Sequence, residues 1–211
     1  MKIRGIPLRI HPSWFLVFLY FTLSAKDQFE TLLDGQASIW NGWVIGACTS
    51  SLLFLSVLLH ELAHSFVAIG EGLKVRDITL FFLGGMASLE KECPTSKGSL
   101  KIAISGPVVS LLLAFLMILL SNNLSVSNFI LSNLFKQVGS LNLLIGVFNL
   151  LPIIPLDGGV ILKSLIWYFT GSKRAGIKVA ISSARLISFL AIFIGILSLL
   201  RGNLYLAICF S

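Results

Sequence analysis

Long uncharged runs alternate with short polar ones along this chain, and the runs are long enough to be read as membrane spans. The first, from Trp14 to Leu23, follows a basic start of Lys2, Arg4 and Arg9, with Pro12 and Ser13 at its entrance. A basic start with a short apolar core resembles a secretion signal. No small-x-small cleavage pattern follows cleanly, so the run reads as a retained transmembrane helix. A polar stretch with Lys26, Asp27, Glu30 and Asp34 leads to a second span, about Ile39 to Ile69. That exceeds the roughly 20 residues needed to cross hydrocarbon, which predicts a tilt or a projecting end. A third span covers Ile102 to Leu120, interrupted early by Gly106-Pro107. An uncharged Asn- and Ser-rich linker, Ser121 to Asn133, precedes a fourth span from Val138 to Leu151. The fourth ends in irregular sequence through Pro152, Pro155, Asp157, Gly158 and Gly159. A short helix from Val160 to Phe169, a basic stretch and a last span from Ile187 to Leu200 follow.

The main polar connection runs from Gly70 to Lys101. Within it, Ile78 to Leu89 reads ITLFFLGGMASL, with β-branched and aromatic residues around Gly84-Gly85. That pattern predicts a hairpin turning at the glycines. The chain as a whole reads as one domain, 1–211, an all-α polytopic bundle of about five to six transmembrane helices with a small membrane-associated β-hairpin.

Composition agrees. Of 211 residues, 56% are hydrophobic and only 12% charged, with mean hydropathy +0.94. A soluble domain of this size would expose far more charge. The net charge of +7 could suggest nucleic acid, but the basic residues lie between apolar spans, where they suit anionic lipid headgroups. With the N-terminus inside, Lys2, Arg4, Arg9, Lys74, Arg76, Lys91, Lys97, Lys101, Lys163, Lys173, Arg174, Lys178 and Arg185 face the cytoplasm. Only Lys26, Lys136 and Arg201 fall outside, which is a strong positive-inside bias. No transit peptide precedes Met1-Lys2-Ile3-Arg4, so the expectation is a bacterial cytoplasmic membrane. Cys48, Cys93 and Cys209 show no C-x-x-C spacing, and their odd number leaves at least one thiol unpaired.

The chemistry sits in His60-Glu61-Leu62-Ala63-His64, near the end of the second span. Helix positions i and i+4 point the same way, so both imidazoles can grip one metal ion, with Glu61 beside them to reach a water on it. Ionisable side chains at membrane depth are costly and read as functional. A catalytic zinc takes three protein ligands and keeps a position open. His11, the sole other histidine, sits beside Pro12 at the membrane edge and reads as interfacial. After Glu92 the only acidic residue is Asp157, at the broken end of an apolar helix. Asp-Gly there could be a plain turn. A lone downstream carboxylate and a metal lacking one ligand favour the ligand reading.

Taken together, HELAH on a membrane helix, FFLGGMA before the third span, SGP at its start and FNLLPIIPLDGG after the fourth resemble the site-2 protease family of intramembrane zinc metalloproteases. RIHPSWF near the start extends the likeness over nearly the whole chain. The lack of a PDZ-sized insertion resembles the compact branch, whose members often carry C-terminal CBS domains. No such domain is expected here, and against the family's pattern the last helix reads as cut short after Leu204, in a truncated or a naturally abbreviated chain. The resemblance implies one Zn2+ on His60, His64 and Asp157, with Glu61 as general base. It implies single-pass membrane proteins as substrates, cut within or near their transmembrane segments. Asn149 at a matching family position would bind the substrate backbone, or satisfy carbonyls freed by Pro152. Phe82, Gly84 and Gly85 would belong to an edge that receives the unwound substrate, or to a plain interfacial hairpin. A prenyl-protein endopeptidase would need a downstream glutamate ligand that is absent. A dead scaffold would be expected to have lost one of the four site residues, and a transporter would spread charges over several helices.

Overall fold

A computed structural model describes residues 2–3, 5–32, 39–82, 84–124 and 128–200. Its elements are β1 (Lys2–Ile3), β2 (Ile6–Ile10), α1 (Ser13–Leu32), α2 (Ile39–Gly70), β3 (Val75–Phe81), β4 (Gly84–Leu89), α3 (Ser96–Leu124), α4 (Phe129–Asn149), α5 (Asp157–Thr170) and α6 (Lys173–Leu200). Among the described residues, four stretches, Gly42–Gly70, Ser96–Leu124, Phe129–Asn149 and Lys173–Ser198, are long and apolar enough to cross a membrane. The protein is an integral membrane protein built mainly of helices. α1 has length for a span but carries Lys26, Asp27 and Glu30 in its last turns, and α5 has only 14 residues. Asp34, Leu204 and Cys209 lie outside the described residues.

In lipid, apolar surface gains little by leaving the solvent, so helices associate through close packing of small residues and through polar links. Both devices are present. Gly46 on α2 lies so close to the Thr22 carbonyl of α1 that a Cβ would collide with it. Thr22 Oγ1 donates to Ser50 Oγ at 2.9 Å across the same interface. α3 packs against α2, α4 and α5. Gly139 and Gly146 of α4 meet Ile118 and Leu111 of α3, each at 2.9 Å from an added Cβ. Ser164 on α5 donates to Ser99 on α3 at 2.8 Å. Asn142 on α4, fully buried, donates to Ser56 on α2 at 3.0 Å. α4 itself starts on the Asn128 side chain, which accepts the Leu131 amide.

The sheet is larger than a hairpin. Its order is β1-β2-β3-β4, with β2 parallel to β3 in the register Leu8↔Ile78 and Ile10↔Leu80. The N-terminal segment is therefore part of the fold, with Ile6, Ile78 and Leu80 buried against Trp14, Val57, Leu58 and Leu62. The expected turn at the glycines is corrected: Gly84 and Gly85 already pair with Phe81 and Leu80, so the reversal falls around Phe82. The physical reason lies in what Gly85 touches. α1 also runs well beyond Leu23, because Lys26 and Glu30 form an i,i+4 ion pair at 2.9 Å that carries the helix through its polar end. α3 continues through Pro107, where an interruption was expected.

Candidate metal centre

α2 places His60 and His64 one turn apart on its buried side, and α3 crosses directly over them. Gly106 makes that crossing possible. A Cβ at Gly106 would run into His64 Nε2 and come within 2.6 Å of His60 Nε2. The third side chain comes from the first turn of α5. Between α4 and α5 the chain doubles back so tightly that a Cβ on Gly158 would strike the Leu150 and Leu151 carbonyls. Gly159 lies as close to the Ile153 backbone, at 2.6 Å from an added Cβ. The glycines thus let Asp157 reach the two histidines.

The three ligand atoms converge. Asp157 Oδ2 lies 3.2 Å from His60 Nε2 and 3.3 Å from His64 Nε2, and the two nitrogens are 3.2 Å apart. His64 Nδ1 is 2.7 Å from the Ile102 carbonyl, an acceptor only, so the Nδ1 carries the proton and a neutral ring points a lone pair from Nε2. Apart from the two imidazoles, buried Asp157 Oδ2 has no hydrogen-bond partner among the described residues. Close lone pairs repel unless a cation joins them, and two imidazoles with one carboxylate form a donor set suited to zinc with a further position open. The residues fit the metal.

Glu61 is buried on the same turn, beneath β4. A Cβ on Gly85 would lie 2.8 Å from its Cδ and 2.9 Å from its Oε1. The Ala87 amide of β4 is within hydrogen-bond reach of the same carboxylate. Gly85 is therefore a close-approach glycine. A cavity of about 910 Å3 opens over these groups, from Trp14 and Phe21 on α1 to Lys163 and Lys173 at the other end. Phe82, Gly84, Gly85 and Asn149 all line it. His11 stands apart from the metal centre, hydrogen-bonded through Nδ1 to Ser13 Oγ at 2.8 Å at the start of α1. Cys48 is exposed and Cys93 buried, both free thiols.

Reasoning from sequence missed Ser110, whose Oγ lies 2.9 Å from His60 Nδ1, and the Ile102 carbonyl. Neither had a signal to offer, since serine is common in such spans and a carbonyl belongs to every residue. The close approach at Gly106 was visible only as the Gly-Pro pair.

A membrane bundle with a His-His-Asp centre contributed by α2 and the first turn of α5, and a glutamate under a strand edge, defines the class of intramembrane metallopeptidase folds. The chain belongs to peptidase family M50, whose model matches residues 48–130 and 122–194. It is 41% identical over 199 residues to a candidate zinc metalloprotease of Synechocystis sp., covering 93% of this chain and 51% of that one. It is 33% identical to a zinc metalloprotease of Methanocaldococcus jannaschii, covering 94% of this chain and 53% of the relative. The solved structure of the site-2 protease from Methanocaldococcus jannaschii matches at TM-score 0.63 and 32% identity, over 100% of this chain and 88% of the other. The chain spans about half the length of the curated relatives it matches, 51% and 53% for these two.

Proposed function

We propose that this chain is a zinc-dependent intramembrane endopeptidase that hydrolyses peptide bonds within or near the transmembrane segments of single-pass membrane proteins. The observation that carries this reading is the meeting of His60 Nε2, His64 Nε2 and Asp157 Oδ2 within 3.3 Å, with Glu61 on the adjacent position of α2. Zinc held by His60, His64 and Asp157 would supply Lewis acidity, lowering the pKa of a water to near 7 and stabilising negative charge on a carbonyl oxygen. Glu61 takes the proton of the attacking water as the new C–O bond forms, and returns it to the leaving nitrogen as the C–N bond breaks. Burial of Glu61 beneath β4 holds the carboxylate in place.

A helical substrate keeps its carbonyls in its own hydrogen bonds, so it must unwind before it is cut. β4 is the sheet edge nearest the site, and its Gly84 to Ala87 stretch lines the cavity. A substrate laid along this edge exchanges helical hydrogen bonds for strand ones. Gly84 and Gly85 keep the edge low, Phe82 stands at its end, and Asn149 faces the same cavity as a further donor to the substrate backbone. The positive-inside bias and the basic residues on the site side favour a cytoplasmic active site and N-terminus in a bacterial cytoplasmic membrane.

The test is cleavage of a single-pass membrane protein by the purified chain, with and without a chelator. Chelation is expected to stop turnover. Glu61→Gln keeps about one zinc and loses about 10²- to 10⁴-fold in rate, whereas Asp157→Ala loses zinc as well. Cleavage that survives both the chelator and Glu61→Gln would sink the reading.

A further inference from the structure

Both metal-binding histidines sit on α2, yet the hydrogen bonds that orient them come from α3. His64 Nδ1 meets the Ile102 carbonyl at 2.7 Å, and His60 Nδ1 meets Ser110 Oγ at 2.9 Å. The two supports differ in kind. A carbonyl can only accept, so His64 has one possible tautomer, with Nε2 free for the metal. A hydroxyl can accept or donate. If Ser110 accepts, His60 is protonated on Nδ1 and offers Nε2 to the centre. If Ser110 donates, the proton moves to Nε2 and His60 is lost as a ligand. Ser110 is 1% exposed and His60 4%, so no bulk water replaces the contact.

We propose that Ser110 is a positioning residue: its hydroxyl accepts from His60 Nδ1 and fixes the one ligand whose tautomer the fold leaves open. The centre then has a permanent half, His64 on a backbone acceptor, and an adjustable half, His60 on a side chain. This rests on the reading of His60 as a zinc ligand, which the zinc content of the unaltered protein tests by itself.

The chain has three histidines, so 15N-histidine labelling gives a spectrum of three imidazoles, with exposed His11 as the reference. In the unaltered protein, His60 and His64 are expected to appear protonated on Nδ1, before and after zinc is added. Ser110→Ala is expected to show a mixture of tautomers at His60 alone, and to weaken zinc about 10- to 100-fold in competition with a chelator. Ser110→Thr keeps the hydroxyl and is expected to restore both readouts. Ser105 Oγ donates to the Ile102 carbonyl at 2.7 Å and lies 3.4 Å from His64 Nδ1. Ser105→Ala leaves that carbonyl in place, so a change of less than about threefold is expected. An Nε2-protonated His60 in the unaltered protein would overturn the assignment, and this arm needs no variant to fold. Unchanged zinc affinity in Ser110→Ala, or equal weakening in Ser110→Thr, would also overturn it. If the unaltered protein binds one zinc while Ser110→Ala is silent, only this inference fails. If it binds none, the metalloprotease reading fails first.

Discussion

α2 and α6 are close in length and in greasiness, and they live in different surroundings. Their spans have mean hydropathies of 1.9 and 2.1, yet 50% of the α2 span is buried within the protein against 11% of the α6 span. Hydropathy measures fitness for lipid and says little about which helix lies inside. What separates the two is the placement of small and polar groups. α2 carries Gly46, Ser50, Ser56, His60 and Glu61, each facing a neighbouring element. α6 leaves Leu186, Phe189, Leu190, Ile192 and Phe193 exposed. It packs on α5 and is tied elsewhere by the Ser183 hydroxyl, which donates to the Pro152 carbonyl at 2.7 Å, and by the Lys173–Glu92 ion pair. The residues of the candidate metal centre are concentrated where backbones approach closely, and the outer helix packs on α5, which carries Asp157.

A matched pair of glycine substitutions should break this comparison most sharply. A Cβ on Gly106 enters the histidine pair, and a Cβ on Gly176 of α6 strikes the Lys163 carbonyl of α5. Both add one methyl group to a closed contact. Gly106→Ala is expected to weaken zinc by at least about 100-fold, as the rings are pushed off the shared point. Gly176→Ala is expected to keep its zinc and lose about 1–3 kcal/mol of stability through overpacking. Zinc content and an unfolding midpoint on the two variants decide it. Equal zinc in both would mean that α3 does not press on the centre.

Gly85→Ala is next in size. The added methyl group displaces the Glu61 carboxylate and leaves the metal ligands on their own segments, so kcat is expected to fall about 10-fold or more with zinc retained. A fall in zinc with activity would show that β4 supports the centre as well as the base.

These contacts also mark what could be read from the sequence. His60, Glu61 and His64 were legible because helical spacing alone puts them together, and Asp157 because no other acidic residue follows Glu92. The limits of α2 were legible to within a residue, from Ile39 to Ile69 against Ile39–Gly70. The N-terminal strands were not. Ile6, Leu8 and Ile10 alternate as a strand should, but their partners on β3 lie about 70 residues away, at Ile78 and Leu80, and no local pattern announces so distant a pairing. Gly85 was misplaced in a turn for a related reason: a glycine needed for close approach and one needed for a turn are the same letter. The third α3 contact, Ser110, depends on how two helices cross, and crossing geometry is not written in the periodicity of either.

A smaller effect should separate the inner and outer helices by their side chains. Ser50 is 2% exposed, accepts from Thr22 Oγ1 and lies 3.2 Å from the Phe18 carbonyl. Ser50→Ala is expected to cost about 0.5–1.5 kcal/mol. Phe189 on α6 is 67% exposed, and Phe189→Ala is expected to change stability by less than about 0.5 kcal/mol although far more atoms are removed. A larger loss from Phe189→Ala than from Ser50→Ala would mean that α6 is covered in the membrane by something other than lipid.

The smallest effect concerns the tie between α6 and the loop after β4. The Lys173 ammonium, hydrogen-bonded to Glu92, holds that carboxyl below its usual range, and the Lys163 charge adds to it. A carboxylate with a depressed folded value stabilises above its unfolded value of about 4.3, and that stabilisation disappears as pH falls through the folded value. Glu92 is largely exposed, so the pair is screened and worth about 0.2–1 kcal/mol. Glu92→Gln is therefore expected to lower the unfolding midpoint slightly at pH 7 and to match the unaltered protein near pH 3. The gap should also shrink in high salt. A gap that widened in acid would show that Glu92 acts through something other than its charge. A large gap at pH 7 would make this link a principal anchor of α6, and the outer helix would then be bound to the core far more firmly than its exposure implies.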